Sequence, residues 1–179
     1  MVDYVQAMNS ACHPKLKRGF TLVELLVSLT ILGILTSVAV PSLTALLIKY
    51  RLSNENTSLM MDFVLARGEA VNRGTTVSVC QSADGVTCSA AGWAAGRIVF
   101  VDQATPGVVD PGDVVLRVSP PTRTGDTMNP NAPIYLTYNA IGSPNANFTI
   151  TTCQSNYVGS QLIVYPSGRI RAMKAGVCP

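Results

Sequence analysis

The stretch GFTLVELLVSLTILGILTSVAVP, residues 19–41, decides how this chain is read. Within residues 20–40 the only charge is Glu24. As a helix rising 1.5 Å per residue, such a run reaches roughly 30 Å, about one hydrocarbon core. Lys15, Lys17 and Arg18 stand just ahead of it. A secretory signal has a shorter apolar core, about 7–15 residues, followed by a small-residue cleavage site. This run is longer and ends in VAVPSL. A plain single-span anchor explains the length, and the positive-inside rule explains the basic flank. Neither explains Glu24, because a carboxylate within a span is costly and calls for a partner.

The rest of the composition is consistent with one further domain. The chain has 179 residues, 47% hydrophobic and only 13% charged, and the apolar excess is concentrated in residues 20–40. Pro41 has no backbone N–H, so a kink or local melting is expected at residues 37–41. Beyond it, residues 42–74 mix apolar and polar side chains at helical spacing. Leu52, Leu59, Phe63, Ala66 and Ala70 form one stripe, with Gly74 as the C-cap. Leu46, Leu47 and Ile48 depart from that stripe. Residues 75–179 then change grammar: TTVSVC, GRIVFV, VVLRVS, PIYLTY, NFTITT, QLIVYP and GRIRAM are β-rich runs between Gly, Pro, Asn and Asp. TPGVVDPGD and PPTRTGDTMNPNAP read as loops. The expected fold class is α+β: a long N-terminal helix, first transmembrane and then amphipathic, packed on a C-terminal antiparallel β-sheet domain.

At KRG followed by FTLVELL the residues resemble the leader site of type IV pilins and of the pseudopilins of type II secretion. The resemblance implies that residues 1–19 are a leader, that a membrane prepilin peptidase cuts between Gly19 and Phe20, and that Phe20 is then N-methylated. It also supplies a partner for Glu24: the new Phe20 amine of a neighbouring subunit, as helices stagger into a filament. Paired in this way, a carboxylate in low dielectric is tolerated. Pro41 falls where pilin spines bend. The implied location is the bacterial inner membrane, single-pass with a periplasmic C-terminal domain, before assembly with other pilins or pseudopilins. The order YNAIGS, NFTI, YPSGRI resembles the C-terminal β-region of the GspH/FimT/FimU subgroup.

Of five cysteines, Cys12 lies in the leader, leaving Cys80, Cys88, Cys153 and Cys178. An even set in an oxidising compartment suggests two disulfides, and three pairings are formally open. Cys80–Cys88, closing a small loop, with Cys153–Cys178, tying back the last strand, is the favoured set. The spacings do not resemble a zinc site, and the one histidine, His13, leaves with the leader. No metal, cofactor or catalytic residue is expected: the usual general base is missing, and Ser and Asp sit in turn contexts such as SADG and DPGD.

The charge distribution suggests a task. Downstream of Asp126 there is no acidic side chain, while Arg169, Arg171 and Lys174 fall in YPSGRIRAMKAG. In a strand, Arg169 and Arg171 share a face while Ile170 points to the core, and Gly168 permits the tight turn that presents them. The bland alternative is an edge strand whose charges discourage aggregation. GRIR resembles the C-terminal GRxR pattern of FimT-type minor pilins, which implies non-specific binding of DNA through its phosphates during uptake in natural transformation. Arg169 and Arg171 take the arginine positions, with Lys174 behind them and Arg117 and Arg123 as an extension of the surface. The same motifs would equally serve a FimU-like structural minor pilin or a GspH-like pseudopilin that primes a filament tip without touching DNA.

Overall fold

The computed structural model describes residues 19–130 and 134–178, so the expected leader, up to Arg18, lies outside the described residues. It divides into two compact units, residues 1–41 and 42–179. Helix α1 (Leu22–Arg73) begins in the first. There the side chains of the apolar run are exposed on every side of the helix among the described residues. Hydroxyls in this run are satisfied by the helix itself: Ser28 Oγ donates to the Glu24 carbonyl at 2.7 Å and Ser37 Oγ to the Ile34 carbonyl at 2.7 Å. The local melting expected at residues 37–41 is not observed. Helix α1 carries Pro41 inside it, because proline deletes one rung of the ladder and leaves its neighbours in place.

In the second unit, α1 presents a stripe to the sheets. Leu52, Leu59, Phe63, Ala66 and Ala70 are buried, and Ile48 joins them one turn earlier, whereas Leu46 and Leu47 stay exposed. Burying side chains the size of Leu59 or Phe63 contributes about 1.5–3 kcal/mol each. The helix closes at Gly74, whose φ of 64° is left-handed, and the Thr75 N–H reaches back to the Ala70 carbonyl at 3.2 Å. That is a Schellman stop, which glycine adopts without Cβ strain.

Among the described residues eight strands follow, in two four-stranded antiparallel sheets. The sequence led us to expect a single sheet, but pairing between strands is non-local and is not written in their spacing. Sheet I has the order β3-β2-β1-β5, from β1 (Val77–Gln81), β2 (Arg97–Val101), β3 (Val114–Ser119) and β5 (Tyr135–Tyr138). Sheet II has the order β4-β6-β7-β8, from β4 (Thr127–Pro130), β6 (Phe148–Cys153), β7 (Val158–Val164) and β8 (Ile170–Val177). Strand β4 arises within a segment read as loop. Its terminal Pro130 is tolerated because, among the described residues, β4 is an edge strand paired with β6 alone.

Both sheets and α1 share one core. Val77, Val79, Val99 and Leu136 enter it from sheet I, and Phe148, Ile150, Leu162 and Val164 from sheet II. Phe63, Trp93 and Phe148 meet at its centre, with ring centroids 5.0–6.1 Å apart. Asp62 of α1 is fully buried and would be unfavourable alone. It accepts from Arg97 Nε and from Ser119 Oγ at 2.9 Å, and pairs with Arg117 Nε at 2.9 Å. One carboxylate thereby fixes the helix against β2 and β3. At the start of the unit, Arg51 grips Asp126 with two 2.8 Å bonds, which raises the guanidinium pKa from its ordinary value.

Among the described residues there are two disulfides, Cys80–Cys88 and Cys153–Cys178, each with Cα atoms 5.7 Å apart. The first closes a loop in which Asp84 accepts the Val86 and Thr87 N–H groups at 2.8 Å and the Thr87 hydroxyl at 2.6 Å. Those bonds hold its carboxyl well below the usual carboxylate range.

Candidate functional site

The first unit holds the residues at which processing is expected, Gly19 and Phe20. Thr21 precedes the helix, and its Oγ1 accepts the Glu24 N–H at 3.2 Å. Thr21 and Glu24 therefore stand in the Thr-x-x-Glu arrangement of a helix N-terminus. Phe20 is exposed beside Gly19, and with Thr21 and Glu24 they border one open concavity. A cut after Gly19 would place a new amine within that group of residues.

The second candidate site is the face of sheet II turned away from the core. Strand pairing sets Ile163 opposite Arg171 and Thr149, and Gln161 opposite Met173 and Thr151. Ile170, opposite the buried Val164, packs against the core, so Arg171 points the other way. Arg169 lies in the β7–β8 turn, where its carbonyl accepts the Tyr165 N–H at 2.9 Å. Both arginines are exposed, and neither forms an ion pair among the described residues. Two guanidiniums thus stand beside a half-exposed surface of threonine, glutamine and tyrosine, free to bind an anion.

The turn that presents them is held from outside. Gly168 has a φ of 74°, and a Cβ there would stand 2.3 Å from the Gly142 carbonyl oxygen. Arg67 of α1 crosses beneath, its Nε donating to that carbonyl at 3.0 Å and its Nη2 to the Ser167 carbonyl at 3.2 Å. Arg67 was not singled out from the sequence. Its partners lie 75 and 100 residues away, and the only local signal is a cation on the flank of the buried helical stripe.

The structure separates other expected members of the patch. Lys174 pairs with Ser160, and its even register with Ile170 and Ala172 puts it on the opposite face from Arg171, toward α1. Carrying the strand alternation three residues beyond Arg171 would have shown this. Arg117 belongs to sheet I and is bound to Asp62, so it does not extend the surface. Arg123 is exposed in the segment between β3 and β4.

A long helix, apolar at its start and then carrying a buried stripe, joined in sequence to two antiparallel sheets, has the type IV pilin-like fold. A prokaryotic N-terminal methylation motif matches residues 14–40. The chain belongs to the family described as type II transport protein GspH, which matches residues 55–168. Its fold is similar to that of the type IV minor pilin FimU of Pseudomonas aeruginosa PAO1, with a TM-score of 0.56 and 22% identity over 70% of this chain and 90% of that one. The minor pseudopilin EpsH of the Vibrio cholerae type 2 secretion system is also similar, with a TM-score of 0.51 and 15% identity over 69% of this chain and 96% of that one. Among curated protein sequences none matches.

Proposed function

We propose that this protein is a minor subunit of a type IV pilus that binds DNA through the open face of sheet II during natural transformation. In this reading, prepilin peptidase releases residues 1–19 and methylates Phe20. Residues 20–41 then hold the chain in the inner membrane until it joins the filament, where Glu24 meets a neighbour's Phe20 amine. The observation that carries the DNA assignment is the pair Arg169 and Arg171, exposed on one face of an open sheet, with no acidic side chain in the chain after Asp126. Guanidiniums bind phosphate oxygens in a fork, and neighbouring Thr and Gln side chains suit sugar and phosphate contacts. Two phosphate contacts give a salt slope near −2 on duplex DNA, hence weak and sequence-independent binding that a filament strengthens by avidity.

A structural role at a filament tip, FimU-like or GspH-like, is favoured by a different feature. Strand β3 is an edge, and it exposes Val114, Val115 and Val118. An apolar edge of this kind suits contact with another subunit. The two roles separate by experiment. Processed protein in detergent is titrated with labelled duplex, and Arg169→Gln with Arg171→Gln is expected to weaken binding roughly tenfold. Unchanged affinity would reject the site. In cells, the same double variant is expected to lose transformation while twitching and secretion persist; loss of either of those instead favours the structural role.

A further inference from the structure

Lys174, turned away from the arginines, lines a cavity of about 340 Å³ in the second unit together with Lys49, Leu52, Ser53, Val158 and Ser160. We infer that this cavity holds the phosphate of an anionic phospholipid head group, in a site separate from the DNA face. Three observations converge on that ligand. Lys49 and Lys174 come from α1 and β8, and neither forms an ion pair among the described residues, so two ammoniums converge without a counter-charge. The hydroxyl-bearing Ser53 and Ser160 supply donors for phosphate oxygens.

The third observation is apolar surface beside the charge. Leu52 and Val158 line the cavity, and the turns of α1 around Lys49 expose Leu43, Leu46, Leu47 and Tyr50. Leucine, tyrosine and lysine in succession are the composition of a segment at the boundary between head groups and acyl chains. A free inorganic anion would have no use for it. The cavity is also preformed. Gly159 lines it so close to the second disulfide that a Cβ would fall 2.8 Å from Cys178 Sγ and 3.0 Å from Cys153 Sγ. The disulfide, which ties the end of β6 to the residue after β8, thereby packs against β7 at the cavity's rim.

The test uses the full processed chain in nanodiscs of phosphatidylcholine alone or mixed with phosphatidylglycerol, with retained lipid counted by native mass spectrometry. Wild type is expected to retain phosphatidylglycerol, Lys49→Gln with Lys174→Gln to retain roughly tenfold less, and Lys49→Arg with Lys174→Arg to behave as wild type. Methyl signals of dimethylated Lys49 and Lys174 are expected to move with phosphatidylglycerol and not with inorganic phosphate. Near-UV circular dichroism confirms that the exposed substitutions leave the fold intact. Equal retention by wild type and the Gln variant overturns the site. An equal response to inorganic phosphate, or cross-linking of Lys174 to an acidic side chain of a neighbouring subunit without lipid retention, overturns the lipid as its occupant.

Discussion

The far face of sheet I carries Cys80, Ile98 and Phe100 with Tyr135 beside Cys80, and Cys88 and Val109 pack against them. On the far face of sheet II stand Thr149, Thr151, Gln161 and Ile163, half-exposed, and Arg171, exposed. Both sheets give their near faces to the same core, so the contrast lies in the residues placed at the alternate positions of each strand. Apolar side chains in sheet I require a cover, and the disulfide loop and the segment after β2 provide it. Hydroxyl, amide and guanidinium groups in sheet II are stable in water and leave that surface available. Sheet I is thus covered on both sides at β1 and β2, its edge strand β3 apart, whereas sheet II leaves one face open, and the proposed DNA contact falls on that open face.

Substitutions on the two faces should therefore differ most in stability. Phe100→Ala, on the sealed face, is expected to cost about 3–5 kcal/mol, read as a lowered denaturant midpoint. Removing the second disulfide with Cys153→Ala and Cys178→Ala opens a loop spanning 25 residues and is expected to cost about 3.5 kcal/mol. Hydrogen exchange should then rise first in β8. If exchange rose first in sheet I, the two sheets would not be independently stapled.

Smaller effects sharpen the contrast. Gly168→Ala forces a side chain into a left-handed turn against the Gly142 carbonyl, and is expected to cost about 1–3 kcal/mol and to weaken DNA binding by displacing Arg169. Ile163→Thr on the open face is expected to change stability by about 0.5 kcal/mol, roughly within the range of surface substitutions. The smallest effect concerns the cover of sheet I. Asp84 titrates below its unfolded value, so its contribution is complete above the ordinary carboxylate range and is lost as pH falls through the lower, folded pKa. The Val86 and Thr87 amide resonances should accordingly hold their native shifts to below about pH 3.9. A midpoint at the ordinary value would mean that the loop is not ordered by Asp84.

What could be read from the sequence was what depends on near neighbours. The helical stripe from Leu52 to Ala70 follows from a 3.6-residue period, and the opposed directions of Ile170 and Arg171 from a period of two. Gly168 announced its turn because few other residues accept its φ. What stayed hidden depends on distant partners. Asp62 sits on the buried face only because Arg97, 35 residues later, and Ser119, 57 residues later, arrive to satisfy it. Arg117 looked free until β3 brought it to the same carboxylate. The division into two sheets and the strand inside a Pro- and Asn-rich segment are likewise consequences of long-range pairing.

The open face of sheet II as the DNA contact is tested most directly by mapping side-chain and amide resonances of the isotope-labelled processed protein while short duplex DNA is added. The expected shifts centre on Arg171, Ile163, Gln161 and Thr151, with Lys174 and β3 unmoved, and they vanish on raising salt. Shifts centred on β3 or around Lys174, with the open face silent, would contradict the account.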